Sequence, residues 1–339
     1  MTELQSLILR LTEDCNLNCA YCYADAGPGG EQMTPETACR ALELACPPGG
    51  SLRVQFTGGE PLLAWETISA AADFARRTGR RLSMSIQTNG TLLTTARCKA
   101  LLALPCAVGV SLDGPGSLNG CRRFPDGASS YEAAEAGIRC LGAAGGRCNL
   151  TAVVTAQNAE RLALLADLAL TLGNVRGVGL DLFRPLGRGK AAELAPDPEA
   201  LRRGFRALVR KTLTLEQAGI PFHLRELDRW RSRRKNGGGR FYCYAQTDLS
   251  LAVDARGDLW PCSSLAGLPA YRLGNLRDGL PEGERVFPVL AAPPACQRCG
   301  RFSLCGGGCP AGRLVGRPAP LACVMQEVIS EIMTGEESQ

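Results

Sequence analysis

Histidine is nearly missing from this sequence: His223 is the single one among 339 residues. Any metal centre must therefore be bound mainly by thiolates. His223 follows the apolar stretch Ile220–Pro221–Phe222 and is expected to pack or lie at the surface rather than act as a base. Long apolar runs are also lacking. None reaches the ~20 residues that cross a bilayer, so no membrane-spanning helix is expected. Met1 to Arg10 lacks a basic segment followed by a long apolar one, so no signal peptide is expected and the anticipated compartment is the cytoplasm. A strong charge imbalance is absent too: 38 basic against 33 acidic residues leave +5, which argues against nucleic acid as a partner. The basic residues bunch between Arg225 and Arg240, with Arg229, Arg231, Arg233, Arg234 and Lys235. Such a run reads as a solvated linker or helix face, or as a patch for an acidic peptide.

What remains is globular. The chain is 45% hydrophobic and 21% charged, and its length accommodates one large domain and a small one. Cysteine is the informative residue, with 17 copies. In a reducing compartment, clustered cysteines point to metal or redox chemistry rather than to disulfides. Soft thiolates select zinc or iron–sulfur clusters.

From residue 4 to about 220, short apolar runs alternate with helical patterns. Strands are expected at Leu4–Leu11, Leu52–Phe56, Leu82–Ile86, Ala107–Leu112, Leu150–Val154 and Val178–Phe183. Helices are expected at Pro35–Cys46, Trp65–Thr78, Thr95–Leu104, Tyr131–Ala143, Ala159–Leu172 and Pro198–Ala218, the first capped by Thr34. Six successive βα units predict an α/β fold with a parallel sheet, a partial or full barrel, and chemistry at the C-terminal strand ends. Residues 226–240 read as a linker, including the stretch RSRRKNGGGR. From Phe241 onward the chain is rich in Cys, Gly and Pro. That segment is expected to bury little apolar surface and to need metal cross-links.

Cys15, Cys19 and Cys22 stand in CNLNCAYC, straight after the first expected strand. Three thiolates are one short of a closed cluster, so one iron is left open to a substrate; the spacing alone also admits zinc with a fourth ligand from elsewhere. FTGGEP at 56–61, QTNG at 87–90 and SLDGP at 111–115 follow at successive strand ends. A second set comprises Cys243, Cys262, Cys296, Cys299, Cys305, Cys309 and Cys323.

Together these motifs resemble the radical S-adenosylmethionine (SAM) superfamily with a C-terminal SPASM domain, a family of peptide maturases. The resemblance covers nearly the whole chain. It implies a partial (β/α)6 barrel over residues 1–225, a linker at 226–240 and an auxiliary-cluster domain at 241–339. It implies one catalytic [4Fe–4S] cluster on Cys15, Cys19 and Cys22, and two auxiliary ones. Of these, one falls to Cys296, Cys299, Cys305 and Cys323, the other to Cys243, Cys262 and Cys309. Relatives that close the latter carry one more Cys shortly before Cys243, where this chain has Asn236–Arg240. By the same resemblance Tyr21, Gly59, Glu60, Ser111 and Arg123 contact SAM, with Arg122 competing for the role of Arg123. Leu118–Asn119 stands where related maturases often carry His–Asp. Cys39, Cys46, Cys98, Cys106, Cys121, Cys140 and Cys148 match no motif and are expected to pack as small apolar residues, with Cys121 beside the SAM-contacting stretch.

The implied chemistry is SAM cleavage to a 5′-deoxyadenosyl radical that takes a hydrogen atom from a small ribosomal peptide, with a cross-link such as a thioether following. An electron donor such as flavodoxin or ferredoxin is implied, and leader recognition is expected to need a separate protein. A second reading is oxidation of Cys or Ser to formylglycine, as in sulfatase-maturing relatives. Those place a carboxylate after the position of Cys262, where Ser263 and Ser264 stand here. A third is an iron–sulfur or zinc protein without catalysis.

Overall fold

Alternating burial along the strands divides the sheet into an apolar face and a polar one. Leu52, Val54 and Phe56 of β2 (Ser51–Thr57) are buried, as are Cys148, Leu150, Ala152 and Val154 of β5 (Cys148–Val154). They face the helices. On the other face Gln87 of β3 (Arg81–Thr88) donates through Nε2 to Ser111 Oγ of β4 (Cys106–Ser111) at 2.9 Å, and accepts from Thr151 of β5 at 3.3 Å. The strands are thus not apolar on both sides, as continuous runs would suggest. Their inner face is a polar wall.

This is a computed structural model, which describes residues 4–190, 192–280, 287–315 and 321–335. Six parallel strands, β1 (Ser6–Arg10) to β6 (Val175–Leu182), alternate with α1 (Pro35–Ala45), α2 (Trp65–Arg77), α3 (Thr95–Leu102), α4 (Tyr131–Ala143) and α5 (Leu164–Leu172). After β6 come α6 (Pro198–Gln217), the two-residue β7 (His223–Leu224) and α7 (Arg225–Lys235). Thr34 caps α1, its hydroxyl accepting the Thr37 N–H at 3.2 Å, with Pro35 in the first turn. The barrel is open: β6 pairs outward with β7, and β1 pairs on its free side with β8 (Ser250–Val253). β9 (Asp258–Trp260) and β10 (Gly274–Asn275) continue the sheet antiparallel, giving ten strands among the described residues.

Two expectations change here. The segment 226–240 is mostly the helix α7, with Leu227 and Trp230 buried. Its arginines tie down neighbours: Arg231 forks onto Glu216 at 2.7 and 2.9 Å. The polar composition hid an amphipathic helix whose apolar side is only two residues wide. Second, the C-terminal segment buries more than its composition suggests. Leu251, Val253, Leu259 and Leu276 join the same apolar core as the barrel, as do Val324, Val328 and Ile329 of the helix Leu321–Thr334. That helix lies on α6, with Arg202 on Glu327 at 2.7 Å and Arg206 on Glu331 at 2.5 Å. No described helix is long and apolar enough to cross a membrane.

Candidate active site and cysteine-lined cluster sites

The loop after β1 turns back over the C-terminal ends of β1 to β6. Close backbone approach fixes it. Gly59 N donates to Thr12 O at 2.6 Å and Glu60 N to Asp14 O at 2.9 Å. A Cβ on Gly59 would lie 2.1 Å from Asp14 O, so only glycine permits this contact. On the far side Asn18 N donates to Arg123 O at 2.6 Å and Ala20 N to Cys121 O at 2.9 Å. The loop that carries Cys15, Cys19 and Cys22 is therefore held from two strand ends.

Cys15 is buried and Cys19 and Cys22 half-buried. Burial pushes the Cys15 thiol up to about 12, with Glu60, Cys19 and Cys22 adding to the rise. Burial likewise raises Cys19. Burial thus disfavours the bare thiolate at Cys15 and Cys19, and a bound cationic centre would offset that cost. Among the described residues no three Cys, His, Asp or Glu converge closely enough for a single metal ion. Three cysteine thiols on one loop make a soft donor set of the kind that iron–sulfur clusters take. The donor set fits iron–sulfur.

Around this loop the strand ends present a buried polar group. The Tyr21 hydroxyl donates to Asp113. Arg122 lies against the same carboxylate, Nε to Oδ1 3.3 Å, with its guanidinium 5.4 Å from the Tyr21 ring centre. Burial alone would lower the Arg122 pKa, but Tyr21, Asp113 and Cys19 outweigh it and raise it. The buried Nε has no hydrogen-bond acceptor among the described residues. Arg123 is exposed, and its Nε donates to Gly120 O at 2.6 Å. Arg122 is buried and charged, close to Cys19 and paired with Asp113, whereas the Arg123 side chain is exposed, so it is the Arg122 side chain that faces the cluster loop.

Glu60 is fully buried, accepting from Leu62 N at 3.1 Å, Thr88 Oγ at 2.6 Å and Asn89 N at 2.7 Å. Burial raises its pKa to about 6, against those three donors, which favour the anion. Its carboxylate joins the ends of β2 and β3. Ser111 is held by Gln87, as described.

Three residues in this region escaped sequence reasoning. Asp113 lay inside the SLDGP motif, where its link to Tyr21 depends on a 92-residue separation. Arg188 donates to Cys19 O at 3.1 Å, Asp25 Oδ1 at 3.0 Å and Ala26 O at 2.6 Å. Arg184 lies over Tyr23, 5.9 Å from its ring centre. Both follow β6, and strand-end position was their only sequence signal.

The C-terminal cysteines separate into two neighbourhoods. Cys262 feels Cys309 and Cys243. Cys323 feels Cys305, Cys296 and Cys299. Burial raises Cys262 to about 11, against the backbone N–H groups of Leu265 and Ser264. Burial raises the Cys305 thiol, against the nearby Gly307 and Gly308 N–H groups. Gly306, Gly307 and Gly308 are left-handed at φ 70°, 82° and 71°, and Arg313 ties this turn down, donating to Gly307 O and Gly308 O at 2.5 and 2.8 Å. Of the unmatched cysteines, Cys39, Cys98 and Cys140 lie on helices, and Cys106 and Cys148 at strand starts. Cys121 is buried beside Tyr21 and Phe183, next to Cys19.

Residues 9–169 match the model of the Radical SAM superfamily. The chain is 28% identical over 334 residues to the serine-type anaerobic sulfatase-maturating enzyme of Klebsiella aerogenes, covering 88% of this chain and 77% of that protein. It is 28% identical over 326 residues to the mycofactocin maturase MftC of Mycolicibacterium smegmatis, covering 91% and 78%. Among solved structures, native anSMEcpe with bound AdoMet superposes with a TM-score of 0.83 at 21% identity, over 98% of each chain.

Proposed function

We propose, for a chain that is a radical SAM enzyme of the SPASM-bearing maturase kind, that it removes a hydrogen atom from a small ribosomal peptide and thereby forms a cross-link such as a thioether. The observation that carries this reading is the placing of two thiol groups at one end of the sheet. Cys15, Cys19 and Cys22 lie over the strand ends, and Cys309 of the second group lies 3.9 Å from Arg184, just past β6.

When bound, SAM and a [4Fe–4S] cluster supply a radical able to break an unactivated C–H bond. The chain's own residues would do the rest. Cys15, Cys19 and Cys22 would hold the catalytic cluster. Arg122 would take the SAM carboxylate, held in place by Asp113. Tyr21, Gly59, Glu60 and Ser111 would border SAM. The sets Cys296, Cys299, Cys305 and Cys323, and Cys243, Cys262 and Cys309, would hold auxiliary clusters. For the latter set none of the chain's remaining cysteines is a fitting fourth ligand: Cys121 sits by Cys19, and the others occupy helices, strand starts or the residue after α1. The residues outside the described ones include no cysteine. This favours an iron open to a substrate thiolate, which soft iron prefers.

Formylglycine formation is the weaker reading. It asks for a carboxylate base, and Ser263 and Ser264 stand after Cys262. Asp181, the nearby acid at the end of β6, has its pKa lowered: burial would raise it, but Arg225 and Arg184 prevail. An acid held that way is a poor proton acceptor. An electron donor of the flavodoxin or ferredoxin type, and a separate leader-binding protein, complete the proposed partners in the cytoplasm. The test is anaerobic reaction of reduced enzyme with SAM and a candidate peptide. Formation of 5′-deoxyadenosine together with peptide two mass units lighter and short of one free thiol supports the reading, since oxidation of Ser to formylglycine removes the same mass but leaves every thiol free. SAM cleavage that no Cys-containing peptide ever couples to product would refute it.

A further inference from the structure

Arg184 reaches both Cys309 of the second thiol group and Tyr23 on the loop that carries the first. It is half-buried, two residues past the end of β6. Its Nη2 lies 3.9 Å from Cys309 Sγ, within reach of an N–H···S hydrogen bond, and its guanidinium stacks on Tyr23, the residue after Cys22. Asp181 and Cys309 both act on its charge. The neighbouring arginines of α7 are otherwise engaged. Arg225 is on Asp181 at 3.0 Å and Glu226 at 2.8 Å, and Arg229 lies over the Tyr242 ring at 4.6 Å.

We propose that Arg184 is a positioning residue that donates to the Cys309 ligand sulfur, raises the reduction potential of the Cys243/Cys262/Cys309 cluster, and fixes that cluster against the catalytic loop at Tyr23. The physical ground is simple. Reduction adds a negative charge to a cluster, so a nearby cation and an N–H on a ligand sulfur favour the reduced state. The consequence fits thioether closure. A carbon radical and a thiol form one C–S bond, break one S–H bond, release one proton and leave one electron. An oxidised auxiliary cluster held by Cys243, Cys262 and Cys309 would supply an acceptor for that electron, and a raised potential would favour the transfer. The inference rests on the auxiliary-cluster reading above.

The test is an EPR-monitored redox titration of anaerobic holoenzyme: wild type, Arg184→Gln and Arg184→Lys. Cys309→Ser and Cys323→Ser variants assign the two auxiliary signals. Arg184→Gln should lower the potential of the Cys309-containing cluster by about 59 mV or more, a tenfold change in its reduced-to-oxidised ratio. The other two clusters should not move. Arg184→Lys keeps the charge without the planar fork and should fall between. An Arg184→Gln protein that keeps all its iron and shows an unmoved potential overturns the inference. So does a uniform shift of all three clusters, which would mark a merely structural role. Should Arg184→Gln lose iron, Arg184→Lys decides on the same criterion. Wild-type enzyme holding only about four iron per chain would overturn the cluster reading itself, a failure distinguishable by iron analysis alone.

Discussion

The Arg122 guanidinium packs on the Tyr21 ring and reaches Asp113 at 3.3 Å, while its sequence neighbour Arg123 points to solvent. Arg122→Gln should weaken SAM binding about tenfold to a hundredfold, the value of a charge-assisted hydrogen bond. Arg123→Gln should change it less than about twofold, as is usual for exposed charges. Anaerobic calorimetry on the two variants decides between them. Equal losses would remove the distinction.

Gly59 admits no side chain, because a Cβ would stand 2.1 Å from Asp14 O. Gly59→Ala should displace the catalytic loop at a cost of about 1–3 kcal/mol. About a third of the iron should be lost while both auxiliary EPR signals persist. Full iron content in this variant would show that the loop can shift freely.

Glu60 gives a pH signature. Its pKa in the folded chain is about 6, above the ordinary 4.5, so the folded state binds more protons between those values. The stability it contributes is complete below about pH 4.5 and is lost as pH rises through 6, by roughly 2 kcal/mol. Denaturation of anaerobic protein across pH 4.5–7 should show this loss in wild type and not in Glu60→Gln. Parallel curves for the two proteins would contradict the assignment.

Metal content follows from ten cysteines in three sets. Reconstituted protein should hold about twelve iron and twelve sulfide. Replacing Cys15, Cys19 and Cys22 together by Ala should leave about eight of each and abolish 5′-deoxyadenosine formation. A zinc-only preparation that remained active would sink the cluster proposal.

An open iron at Cys243, Cys262 and Cys309 predicts a peptide-dependent spectrum. A Cys-containing substrate should perturb that cluster's EPR signal, and its Cys→Ser counterpart much less, since soft iron prefers sulfur. Identical responses to both peptides would mean that the fourth site is closed.

The sequence by itself determined the barrel's βα order, because strand and helix patterns are local. It also carried the cysteine sets and the strand-end motifs, because a loop such as CNLNCAYC holds its ligands within a few residues of each other. Thr34 and Pro35 fixed the start of α1 for the same local reason. Tertiary structure decided the rest. The pairing of β8 with β1, and the sharing of one core by Val253 and Val54, depend on residues some two hundred positions apart. No composition reading of a Cys- and Gly-rich segment can see that. α7 was hidden because Leu227 and Trp230 are its only buried residues in a run of charges. That Arg122 is buried against Tyr21 while Arg123 is exposed was illegible in sequence, since adjacent residues of one type differ only in which way the backbone turns them. Arg184 and Arg188 gained their roles from the folding of the β6 end over the cysteine loop, where Arg188 reaches a carbonyl 169 residues away. Contacts of that range are set by packing of the whole sheet, not by any local pattern.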